Sequence, residues 1–256
     1  TDNTLYQAIS DYEMTLSQRV EKEGGAVTEL AARVVAAELV LALEFVHSFD
    51  IVHRNVSGEN VLVDMDGHVR LAEWGMCCPE ISERRRTNDM VGVPDYQAPE
   101  VLAGQGWYGK EADWWALGVL TYEMIHGEGP FLAASTQKVY SRIRTETPHW
   151  SNELSASGRI VLEGLLRHEA TDRLGCEKLG GPATLKAQAW FVQHGIRWDR
   201  LLQKKHASSL SVKLLDSSNV RSMLSSMSSL HRVPREDLDD FLPTSASVHA
   251  PRSPAA

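Results

Sequence analysis

No stretch of this sequence approaches the roughly 18 apolar residues that a membrane-crossing helix requires, and no basic-then-apolar leader opens it. A membrane span is not expected. Cysteine is nearly missing as well, since Cys77, Cys78 and Cys176 are the only three. Two are adjacent and none has the paired spacing of a zinc site or a disulfide framework, so a reducing intracellular compartment, the cytoplasm, is expected. Positive charge is in the minority, with 26 Lys and Arg against 34 Asp and Glu and a formal charge of −8. That balance disfavours a phosphate-neutralising nucleic-acid surface. Internal repeats are absent too. What the chain does have is 256 residues with 43% hydrophobic content, which suits one globular domain plus an extension. It opens on Thr1 rather than Met, and we expect that sequence has been removed upstream.

Leu30, Val34, Val35, Leu39, Leu43 and Val46 recur at helical spacing, with Thr28 as N-cap and Glu29 in the first turn, and predict a long buried helix to about Phe49. Val61-Leu62-Val63 and Val69-Arg70-Leu71 flank the turn residues Asp64-Met65-Asp66-Gly67 and read as a short hairpin. Residues 79–99 carry charge, proline and little periodicity, the pattern of a long functional loop. From Glu111 to His126 the sequence is apolar almost all round, as in a helix at a domain centre. Weaker helical patterns follow at about 135–144, 155–167 and 184–192. After about Ala207 the chain turns to serine, proline and isolated charges, and a tail that is largely disordered or draped on the body is expected.

Five strings in order give these elements a family resemblance. His53-Arg54-Asn55-Val56-Ser57-Gly58-Glu59-Asn60 resembles the catalytic loop of a eukaryotic protein kinase, and Glu73-Trp74-Gly75 lies where the metal-binding Asp-Phe-Gly stands. Gly92-Val93-Pro94-Asp95-Tyr96-Gln97-Ala98-Pro99-Glu100 resembles the close of the activation segment in the AGC serine/threonine group. Asp113-Trp114-Trp115-Ala116-Leu117-Gly118-Val119 resembles the central helix, and Arg173-Leu174-Gly175 completes the set. The resemblance implies a mainly α fold, the carboxyl-terminal lobe of a kinase with a short β-hairpin, and an amino-terminal lobe that is largely absent. It assigns residues 1–12 to the end of that lobe and the hinge, with a strand over residues 2–11. Residues 13–206 form the carboxyl-terminal lobe, and residues 207–256 an AGC-type tail. No glycine-rich phosphate loop, strand lysine or helix glutamate precedes them. The glycines at Gly24-Gly25 and around Gly104 and Gly106 read as turns.

The resemblance also marks departures. Asn55 stands at the position of the aspartate that accepts the substrate proton, and a carboxamide has no basic lone pair, a loss worth roughly 10²–10⁴ in rate. Ser57 replaces the lysine that steadies the transferring phosphoryl, and Val93 replaces the threonine whose hydroxyl ties the two together. Asn60 retains one metal position, and Glu73 keeps a carboxylate one methylene further out, so weak nucleotide or metal binding falls to these two. The family pattern implies a buried ion pair between Glu100 and Arg173, and makes Asp113 the support of the catalytic-loop backbone. Asp89 lies where the group carries a phosphorylatable threonine and is placed to pair with Arg54, with Thr87 out of register. Arg84-Arg85-Arg86 reads as a solvated face.

The expectation is a pseudokinase-like interaction or regulatory module with protein partners, a kinase or a kinase substrate among them. No cofactor is expected for this chain alone. The rival is the larger half of an active serine/threonine kinase, with ATP and magnesium. A third reading is a degenerate fragment without function.

Overall fold

The computed structural model describes residues 12–82, 85–103, 107–152 and 154–204. The strand expected over residues 2–11, Arg84, Gly104, Gly106 and the tail beyond 204 lie outside the described residues.

The sheet is small. Strand β1 (Met14–Thr15) pairs antiparallel with β2 (Val61–Val63), and β2 with β3 (Val69–Leu71), in the order β1-β2-β3. Val61 faces Leu71 and Met14 faces Val63. The hairpin turn is fixed by Asp64, whose Oδ1 accepts the N–H groups of Asp66 and His68 at 3.1 and 2.9 Å, and by Gly67 at φ 80°. Helix α1 (Leu16–Lys22) follows β1 directly and starts with a capping box in which Thr15 Oγ1 accepts from Gln18 N, and Gln18 Oε1 from Thr15 N.

Helix α2 (Glu29–Ser48) is capped as expected, Thr28 Oγ1 accepting from Ala31 N at 3.2 Å. Val34, Val35, Leu39, Leu43 and Val46 are buried, but Leu30 is 53% exposed. The first turn instead buries its Glu29 and Arg33 side, because Glu29 receives Trp190 Nε1–H at 2.6 Å, Ser155 N–H at 2.9 Å and Ser155 Oγ–H at 2.6 Å.

Against α2 lies α4 (Glu111–His126), preceded by the short α3 (Pro99–Leu102). Every residue of α4 from Glu111 to Tyr122 is buried. Consecutive tryptophans face opposite ways. Trp114 joins the core built on α2, and Trp115 stacks on Phe131 at 5.5 Å in a second cluster. The helix ends at Gly127, left-handed at φ 79°. Helices α5 (Thr136–Thr145) and α6 (Ala156–Leu165) follow. The single helix expected over 184–192 is two, α7 (Gly181–Lys186) and α8 (Ala189–Val192), and α9 (Trp198–Leu202) closes the described chain. The break has a packing reason. Trp190 and Phe191 are both buried although adjacent, and the extended backbone of Gln188 (ψ 140°) reorients the chain to seat them. Among the described residues no helix is long and apolar enough to cross a membrane. The architecture is mainly α with one small sheet.

Candidate functional site

The loop from His53 to Asn60 hangs from the first turn of α4. Asp113 Oδ2 accepts the N–H of His53 and Oδ1 that of Arg54, both at 2.8 Å, and His47 Nε2 reaches Oδ2 at 2.8 Å. The side chain of Asp113 is 1% exposed. Burial alone would push its carboxyl up, but the hydrogen bond and charge of His47, and the contacts with His53, outweigh that and hold it below the ordinary carboxylate range. His53 is buried and held below the ordinary histidine value chiefly by that burial. Its Nδ1 accepts the Asn55 N–H at 3.3 Å, so Nε2 carries the proton and donates it to Ala72 O at 2.9 Å. Trp74 meets the ring edge-on, centroids 4.7 Å apart.

Arg54 is the junction of the site. Its backbone is left-handed, φ 67°, a conformation that costs a non-glycine residue about 1–3 kcal/mol and persists where neighbours enforce it. Asp113 grips the N–H side, and Gly92 (φ 94°) packs so tightly against the carbonyl that a Cβ there would lie 2.4 Å from Arg54 O. The guanidinium donates to Met76 O at 2.6 Å, Thr87 Oγ1 at 3.3 Å and Asp89 Oδ2 at 3.0 Å. Asp89 is held below the ordinary carboxylate range by the Arg54 hydrogen bond first and the Thr87 hydroxyl second. Tyr108 donates its hydroxyl to Asp89 O at 2.6 Å.

The three substituted positions differ in their surroundings. Asn55 Oδ1 is buried without a hydrogen-bond partner, and so is Ser57 Oγ. Val93 lines the same small cavity as Asn55. Asn60 Nδ2 donates to Asn55 O at 2.9 Å, which sets the orientation of its side chain. Glu73 is exposed and left-handed, φ 60°. Magnesium takes about six oxygen ligands, of which this pair supplies one carboxylate and one amide. Among the described residues no group of three or more His, Cys, Asp or Glu could hold a metal ion.

Glu100 and Arg173 meet across 73 positions, Nη1 to Oε1 at 2.6 Å and Nη2 to Oε2 at 2.9 Å, with Arg173 wholly buried and the Glu100 side chain 15% exposed. The basic run is not a uniform solvated face. Arg85 pairs with exposed Glu80, but Arg86 pairs with buried Glu111, because a carboxylate in the first turn of a buried helix needs a cation.

Sequence reasoning missed Glu123. It accepts the hydroxyl of Tyr96, and burial, followed by the charges of Asp95 and Glu59, raises its carboxyl above the ordinary value despite that bond. Glu123 and Glu21 line a cavity of about 200 Å³ beside Gly58. The signal was the one carboxylate in the second half of α4.

The protein kinase domain model matches residues 3–184. Serine/threonine protein kinase ypkA of Aspergillus fumigatus is 38% identical over 190 residues, 73% of this chain and 29% of that protein. Human RAC-beta serine/threonine-protein kinase is 37% identical over 182 residues, 70% of this chain and 36% of the relative. Human serine/threonine-protein kinase Sgk1 is 38% identical over 177 residues, 69% and 40% respectively. The chain thus spans about a third of the length of these curated relatives.

Proposed function

Because the chain belongs to the protein kinase family, among relatives of the AGC serine/threonine group, we propose that it acts as a pseudokinase-like module that holds a protein partner without phosphorylating it. One contrast carries this reading. The scaffold of the site is complete in the Asp113 clasp, the Glu100–Arg173 pair and the Arg54–Asp89 pair, while Asn55 and Ser57 present no base and no cation. Phosphoryl transfer is accelerated almost entirely by positioning and by electrostatic stabilisation of spreading negative charge. Ser57 brings no positive charge to that task, and Asn55 cannot take the hydroxyl proton.

Asp89 is part of the same proposal. As a permanent anion on Arg54 it keeps the segment from Thr87 to Gly92 seated without a phosphate. The partner surface is acidic, formed by Glu59, Asp95 and Glu123 beside the cavity that Glu21 also lines, and it suits a basic protein segment in the cytoplasm.

Incubation with radiolabelled ATP, magnesium and an arginine-rich peptide tests both halves. The expected result is a peptide that is retained, less so by Glu123→Gln, and stays unlabelled. Labelling that disappears in Asn60→Ala would establish a working kinase instead.

A further inference from the structure

Two residues that line one small space each carry a buried acceptor without a partner. Gln97 is 7% exposed, its Nε2 donates to Val91 O at 2.9 Å and to Gly92 O at 3.4 Å, and its Oε1 has no partner. Asn55 Oδ1 has none either. Both residues line a cavity of about 20 Å³ together with Val91, Val93 and Tyr96. Buried acceptors in folded proteins are nearly always paired, so two unpaired ones on residues lining the same cavity call for a shared donor. Neither can serve the other, because both atoms only accept. Val93 has no hydroxyl to offer.

We propose that this cavity is a binding site for a single ordered water molecule, which donates one hydrogen to Asn55 Oδ1 and the other to Gln97 Oε1. The chemistry and the size both fit. A water needs roughly 10–15 Å³ of such space and two to four polar partners, and a second molecule has no room. The water joins the catalytic-loop side, through Asn55, to the segment that closes at Gln97. It does so whether or not the chain transfers phosphate, so the inference is independent of the pseudokinase reading.

A crystal structure of the chain at about 1.5 Å should show one solvent peak within hydrogen-bond distance, about 2.6–3.2 Å, of both oxygens. An empty cavity would overturn the proposal. So would a direct carboxamide-to-carboxamide bond with one amide turned over. In solution, oxygen-17 relaxation dispersion counts long-lived internal waters. Gln97→Met should have one fewer than the parent chain, and an unchanged count sinks the idea. If Gln97→Met does not fold, Val93→Thr serves the same test, because its hydroxyl takes the place of the water with little change of volume. A parent chain and a Val93→Thr variant with equal counts would equally refute it.

Discussion

Individual charges in this molecule differ in worth according to what surrounds them. Arg173 is enclosed on every side and receives Trp115 over its guanidinium at 5.2 Å, besides the two oxygens of Glu100. Glu100→Ala leaves that cation with carbonyl partners and the Trp115 ring but no carboxylate, and about 3–5 kcal/mol should be lost in denaturant unfolding. Asp89→Ala, at a side chain 62% exposed, should cost far less in the same measurement. Equal, small losses would mean that Glu100 is solvated. Glu29 belongs with Glu100. Burial would raise its carboxyl, but the Ser155 hydrogen bonds, then those of Trp190 and Arg33, hold it below the ordinary value of 4.5. A depressed carboxyl contributes stability that is fully present above its unfolded value and lost as pH falls through the folded one. Glu29→Gln should therefore be less stable at neutral pH, by about 1–3 kcal/mol. Its stability should also decline less on acidification below about pH 4.5 than that of the parent.

Elements were readable where one period governed a long stretch. Helices α2 and α4 and the hairpin of β2 and β3 lie where their patterns put them, within a residue or so. Strand β1 has two residues, too few to show alternation, and α3 and α9 are single turns set by the partners they reach. Helix α1 was legible in principle, since Thr15 and Gln18 have capping-box spacing. Its apolar content gives no sign of it, with Leu16 the one buried residue. The split of α7 from α8 is a tertiary matter. Where α6 crosses α2 and α8, Gly158 sits so close that a Cβ would lie 2.8 Å from Glu29 Oε1 and 2.9 Å from Trp190 Nε1. Gly158→Ala should destabilise the protein, although alanine is the better helix former by about 1 kcal/mol. A melting temperature at or above the parent's would show that these helices can move apart.

Across the whole molecule, sequence motifs indicated which residues would meet, and distances add what motifs omit. That Asp113 serves the loop backbone was implied by resemblance. That it binds two successive N–H groups and His47 together is a property of the folded chain. Glu123 and Gln97 escaped notice because each acquires its meaning from neighbours 27 and 5 or 6 positions away. Restoring Asn55→Asp, Ser57→Lys and Val93→Thr together should leave phosphoryl transfer weak, because holding the nucleotide contributes most of the barrier reduction. Brisk turnover in the triple variant would place the nucleotide grip within this chain.

Asp113 also makes two loop amides into clocks for the whole protein. Loop N–H groups ordinarily trade their hydrogen for deuterium through small local openings, within seconds to minutes. Those of His53 and Arg54 end on an enclosed carboxylate 2.8 Å away, and opening either takes a hydrogen bond from that buried charge. Exchange at these two positions should wait for complete unfolding, as it does in the middle of a core helix. A loop that measures global stability as faithfully as α4 is the signature to look for in a deuterium time course, and early exchange at Arg54 would show the clasp to be loose.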